Sequence, residues 1–163
     1  MFTIKELLNI FPRSGKLEWI GLRTERRGSI INAQSVEAIK GVGLRGDRKT
    51  NSINQDSKRQ VTLIQAEHLP VIAAFMKMNE FKPEQLRRNL LISGINLLAL
   101  KNKKFYIGHV LFEGTGECHP CSRMEETLGV GGYNALRGHG GITAKILSDG
   151  MIYLNDEVKI CLE

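Results

Sequence analysis

The sequence predicts a mainly β protein, a closed or nearly closed β-barrel with a few short helices. Three observations point there. Short apolar runs with two-residue alternation recur at irregular intervals, 17 glycines break them up, and helical periodicity is confined to two or three short stretches.

In chain order, "TIKELLNIF" sets Ile4, Leu7, Leu8 and Phe11 on one helical face over residues 3–11, and Pro12 ends it. "KLEWIGLR" alternates through Leu17, Trp19 and Gly21 as a strand. "SVEAIKGVGL" and the β-branched "RQVTLI" give two more. "QAEHLPVIAAFMKM" predicts a helix with a first turn near Gln65 and regular geometry from Pro70, because proline suits a helix start. "KPEQLRRNLLISG" reads as a short helix from Pro83 feeding a strand. "KKFYIGHVLFEGTG" reads as one strand through Phe105, Ile107, Val110 and Leu111, with His109 inside it. "ITAKILSDGMIYLNDEVKICLE" holds two strand-like runs joined at "SDG", a hairpin signal, with "LND" a further turn.

At 163 residues and 42% hydrophobic composition the chain suits one domain over 1–163, with a core of about residues 19–160 and an N-terminal helix within 1–14. No run reaches the roughly 18–20 apolar residues of a membrane span, and the first residues mix charge with apolar side chains, unlike a secretory signal. The expectation is a cytoplasmic protein without a membrane partner. Three unevenly spaced cysteines do not make a disulfide framework, so reduced thiols are expected. The net charge of +6 is dispersed through "RTERRG", "GLRGDRK", "SKRQ", "LRRN" and "KNKK". That dispersal, with 6% aromatic residues for base stacking, tells against a nucleic-acid partner and favours a folded pocket for a small anion over a basic tail, although solubility alone would equally explain scattered charge.

"GVGLRG" matches the dinucleotide fingerprint G-x-G-x-x-G, but the polar stretch after it offers no helix to receive a pyrophosphate. Its glycines instead permit tight turns at a strand end. Arg45 and Arg48 around Asp47 then suit phosphate or carboxylate recognition, the aspartate holding a guanidinium in place; a solvated surface turn carries equal weight. "RRNL" and "SGINL" offer Arg87, Arg88, Asn89 and Asn96. In the glycine-rich "GVGGYNALRGHGG", Arg137 and His139 stand where backbone can approach an anion closely. His68 and His109 are expected to be packing or capping residues.

"ECHPCSRMEE" leaves four readings open for Cys118 and Cys121. With His119, His139 or Cys161 they begin a zinc site, but no second ligand pair is spaced for it. If "SRMEETLG" is a helix they form a redox pair at its start, and a buried structural pair is the plainest reading. The fourth is a single thiolate ligand to a soft transition metal, with Arg123 and Arg137 favouring the charged sulfur.

The order "GLRGDR", "RQVTLIQAEH", "LRRNLLISGINL", "ECHPCSRM", "RGHGG" and "DGMIYLNDEVKI", from about Trp19 to Ile160, resembles a MOSC domain. That module occurs at the C-terminus of molybdenum cofactor sulfurases and as small free-standing bacterial proteins. The resemblance implies a β-barrel, a molybdenum-pterin ligand or a sulfur-carrying role, and a functional cysteine late in the barrel. Cys121 matches that cysteine and would be the metal ligand. Aligning instead on the arginine of the motif of the mitochondrial amidoxime-reducing component puts Met124 there, and Cys118 is the second candidate thiol. Arg45, Arg48, Arg88, Asn89, Arg123, Arg137 and His139 would hold the pterin phosphate of molybdopterin or the substrate. The function implied is reduction of N-hydroxylated or N-oxygenated small molecules, with electrons from a separate donor protein. The alternative is a carrier that delivers persulfide sulfur from Cys118 or Cys121 to a metal-sulfur cofactor.

Overall fold

The computed structural model describes residues 1–48 and 57–162. In chain order the elements are α1 (Ile4–Leu7), β1 (Gly15–Arg23), β2 (Ile30–Ala33), β3 (Ser35–Ile39), β4 (Gly43–Leu44), β5 (Val61–Gln65), α2 (Leu69–Met76) and β6 (Leu90–Ser93). Then follow β7 (Lys104–Ile107), β8 (Val110–Glu117), α3 (Ser122–Leu128), α4 (Gly132–Leu136), β9 (Ile142–Ile146), β10 (Gly150–Tyr153) and β11 (Glu157–Ile160). Single 3-10 turns sit at Ala66–His68, Pro83–Leu86 and Leu97–Leu100.

Seven strands close on themselves in the order β1, β6, β5, β9, β8, β7, β11 and back to β1. All of these pairs are antiparallel except β5 with β6. Closure demands strong coiling of the sheet, and the register shifts between Leu17 and Trp19 in β1 and between Gly114 and Gly116 in β8 supply local bends. Strand alternation turns Leu17, Leu63, Leu90, Ile92, Ile107, Ile142, Ala144 and Val158 inward, where Phe105 and Phe112, opposite each other across β7 and β8, stack at 5.7 Å. β2 extends the sheet from the end of β1, while β10, β3 and β4 form a separate small sheet.

β5 is buried at every position because both its faces are covered. Leu63 faces the barrel, whereas Ile64 joins Ile72, Ala73, Phe81, Leu86, Met124 and Leu136 in a second core under α2, α3 and α4. This helical layer fixes the end of the barrel where β8 gives way to the cysteine segment.

Several expectations are corrected. The helix at 3–11 shrinks to Ile4–Leu7, closed by a Thr3–Glu6 capping box, and buries none of its residues; Phe11 packs against the barrel by itself. "KKFYIGHVLFEGTG" is a hairpin of β7 and β8 turning at Gly108, where φ is +57°, so His109 is an exposed turn residue and not a strand residue. "SDG" does not join a hairpin: β9 pairs with β5 and β8, and β10 pairs with β3. β2 carries no alternation strong enough to have been expected. No helix among the described residues is long and apolar enough to cross a membrane.

Candidate functional site

Cys121 is exposed and immediately precedes α3; it lines a cleft of about 160 Å³ with Met124 and eight arginines. Those arginines arrive from six places in the chain: Arg23 at the end of β1, Arg26 and Arg27 in the turn before β2, Arg48 after β4, Arg59 before β5, Arg87 and Arg88 before β6, and Arg123 in α3. Eight of the chain's eleven arginines therefore meet here, and among the described residues neither a lysine nor a carboxylate lines the cleft. Guanidinium is the cation that binds phosphate and carboxylate through paired N–H groups, so this composition is suited to an anion.

The floor of the cleft is a buried polar network. The backbone N–H of Arg23 donates to Asp47 Oδ1 at 2.8 Å and its Nη2 to Oδ2 at 3.2 Å. Asn89 donates to Asp47 Oδ1 and to the Gly21 carbonyl, and its Oδ1 accepts from the Thr62 N–H and hydroxyl. Arg88, 4% exposed, donates to the carbonyls of Gly140 (2.9 Å), Leu86 (3.1 Å) and Cys118 (3.4 Å) and to no carboxylate. Burial pulls its guanidinium below the ordinary arginine value. Arg87, half-buried and donating to the Gly28 carbonyl, is lowered by burial first and then by repulsion from Arg123, Arg23 and Arg48. Among the described residues Arg123 Nε is buried with no hydrogen-bond partner, as is Glu84 Oε2 in the neighbouring 3-10 turn. Positive charge is thus concentrated with orphaned donor capacity, which a bound anion would meet.

Cys118, 2% exposed, faces the other way. It lines a second cavity of about 200 Å³ with Gln65, His68, Asn96, Glu117 and His119, and among the described residues no lysine or arginine lines it. His139 belongs to this side: its Nδ1 lies 3.3 Å from Nδ1 of His68, the rings edge to face. Burial, then repulsion from His139, holds His68 below the usual histidine range. The segment from Cys118 to Cys121 therefore divides a cavity whose lining includes the Glu117 carboxylate from a cationic cleft. The cavity at Cys118 is the larger of these two, yet the cleft holds the accessible thiol.

Of the residues expected at the site, the structure gathers Cys121, Arg48, Arg88 and Arg123 in the cleft. Arg45 is turned away, exposed and paired with Glu37 on β3. Asp47, expected to hold Arg45 or Arg48, holds Arg23 instead. Asn89 is fully buried with its amide engaged, so it supports the floor and does not reach a ligand. Arg137 is exposed at the end of α4 and lines neither cavity. Met124, the alternative to Cys121, is buried in the helical core with only its edge on the cleft. Cys161 follows β11 outside both cavities, and among the described residues no three His, Cys, Asp or Glu side chains converge as metal ligands would. Sequence reasoning passed over Arg23, Arg26, Arg27 and Arg59 as site residues. The available signal was the choice of arginine over lysine in "RTERRG" and "SKRQ".

The sequence matches the family model described as MOSC domain over residues 49–159. The fold resembles the YuaD protein from Bacillus subtilis, with a TM-score of 0.77 at 19% identity, covering 91% of this chain and 97% of that one. It also resembles YiiM from Geobacillus stearothermophilus (TM-score 0.72, 12% identity, 90% and 75% covered) and YiiM from Escherichia coli (TM-score 0.69, 14% identity, 93% and 71% covered). At these identities the likeness concerns the fold. No curated protein sequence matches the chain.

Proposed function

The chain belongs to the MOSC domain family, and from that premise we propose that it binds molybdenum cofactor at the arginine cleft, with the Cys121 thiolate as the soft ligand to the metal. The observation that supports the reading is the accessible thiol of Cys121 set among eight arginines, with no acid lining the cleft among the described residues, a donor set that would suit a thiolate-bound metal whose pterin carries an anionic phosphate. Arg87, Arg88 and Arg123, the arginines of the cleft that are not exposed and not paired with Asp47, would hold the phosphate. The bound group would supply two-electron reduction of an N–O bond. A hydroxylamine-type substrate R–NHOH takes up two electrons and two protons and leaves as R–NH2 and water, the electrons coming from a separate donor protein. The chain's part is to bind, orient and surround the reactants with fixed positive charge.

A second reading keeps the same cleft for a sulfur carrier. A Cys121 persulfide is also an anion and also accessible, and Cys118 lies three residues away as an unpaired thiol.

Protein made in cells with an intact molybdenum-cofactor pathway tests both readings, by elemental analysis and oxidised-pterin fluorescence of wild type, Cys121→Ala and Cys118→Ala. Near-stoichiometric molybdenum and pterin, lost with Cys121→Ala and kept with Cys118→Ala, is the expected result. A wild type with no molybdenum or pterin but a Cys121 peptide heavier by one sulfur would replace the reductase with the carrier.

A further inference from the structure

We propose that the reactant at Cys121 arrives as an anion: the cleft selects small substrates bearing a carboxylate, phosphate or sulfonate group over neutral molecules of the same shape. The proposal deepens the reading above and rests on Cys121 as the reacting or metal-binding thiol. Under the reductase reading it makes the substrates N-oxygenated compounds that carry an acid group.

The arginines fall into two tiers. Arg23 is neutralised by Asp47, Arg88 is enclosed by three carbonyls, Arg87 is half-buried against Gly28, and Arg123 has its Nε buried. This inner tier has enough forked donors for one phosphate group. Arg26, Arg27, Arg48 and Arg59 form an outer tier, all exposed, and among the described residues none of the four pairs with a carboxylate. The chain maintains this concentration of like charge despite its repulsion, and two of the arginines stand in left-handed backbone, Arg27 at φ +60° and Arg87 at φ +55°, a conformation L side chains rarely adopt. Four guanidiniums without a carboxylate partner among the described residues, at the mouth of a narrow cleft, would raise the local concentration of anions and turn cations away. Among the described residues the cavity behind Cys118 is lined by Glu117 and by no lysine or arginine, so this selectivity belongs to the Cys121 side.

Alkylation rates read the effect directly. In protein from cells lacking the cofactor pathway, a cysteine thiolate displaces iodide from either iodoacetate, an anion, or iodoacetamide, its neutral analogue, forming an S–CH2 bond; mass spectrometry resolves the peptides. Half-buried Cys161, outside the cleft, is the internal control. The expected ratio of iodoacetate to iodoacetamide rates is about 10-fold or more higher at Cys121 than at Cys161, falling toward the control as salt shortens the screening length to roughly 3 Å near 1 M. Arg26→Gln combined with Arg27→Gln, both on an exposed turn, should lower that ratio by about 3-fold or more with the circular dichroism spectrum unchanged. A ratio at Cys121 equal to that at Cys161 would overturn the inference and leave the cofactor reading standing. No reaction at Cys121 with either reagent, while Cys161 reacts, would sink both.

Discussion

Asp47 and Arg45 are two residues apart, and the structure gives them opposite weight. Asp47, 1% exposed, accepts from the backbone and guanidinium of Arg23 and from Asn89, so its removal leaves a buried cation without its carboxylate and takes one of two acceptors from a buried amide. Asp47→Ala is expected to cost about 3–5 kcal/mol of unfolding free energy in urea titrations, since breaking one side of a buried pair strands the other. Arg45→Ala, which removes only an exposed pair with Glu37, should leave the urea midpoint nearly where it was. A midpoint shift for Asp47→Ala no larger than for Arg45→Ala would contradict the described network. The sequence shows "GLRGDR" as a turn rich in charge. It does not show which member is buried, because Arg23, which Asp47 pairs with, is 24 residues upstream at the end of β1.

At the scale of elements, the strap from α4 into β9 decides how closely Cys118 is held. The Cys118 N–H donates to the Gly141 carbonyl at 2.8 Å, and Gly141 itself has φ +85° with the Leu63 carbonyl of β5 where a side chain would begin. A Cβ there would lie 1.8 Å from that oxygen. Gly141→Ala should therefore destabilise the protein by at least about 1–3 kcal/mol, from overpacking and a disfavoured backbone together, and a urea titration showing no loss would mean that the strap sits farther from β5. Elements with strong local patterning were legible: β1, β5 and β9 from apolar and β-branched runs, and the start of α2 from Pro70. Elements defined by their partners were not. β7 and β8 run together in sequence because the hairpin turn is only Gly108 and His109. "SDG" looks like a hairpin because local turn chemistry says nothing about whether β10 pairs with β9 or with β3.

For the molecule as a whole, folding draws eight arginines from six places onto one end of the barrel, which raises the repulsion carried by a chain of net charge +6. In the sequence those arginines look dispersed, and only the strand order, with β1 beside β6 and the helical layer over β5, brings them together. Closure of the barrel thus gathers the arginines, and their mutual repulsion works against the fold; under the proposed reading a bound anion would offset it. An anion bound only by the folded state adds stability that grows with the logarithm of its concentration beyond the dissociation constant, about 2.7 kcal/mol at a hundredfold excess. Phosphate added at constant ionic strength should therefore raise the melting temperature along a saturating binding curve, whereas chloride at the same ionic strength should raise it far less. Because phosphate also favours compact states generally by its exclusion from protein surface, the comparison that decides is with Arg87→Gln combined with Arg123→Gln. Losing two inner guanidiniums removes repulsion as well as ligands, so this variant should respond much more weakly to phosphate, with its own melting temperature lowered little or even raised. An equal phosphate response in wild type and variant would place the stabilising anion elsewhere on the surface.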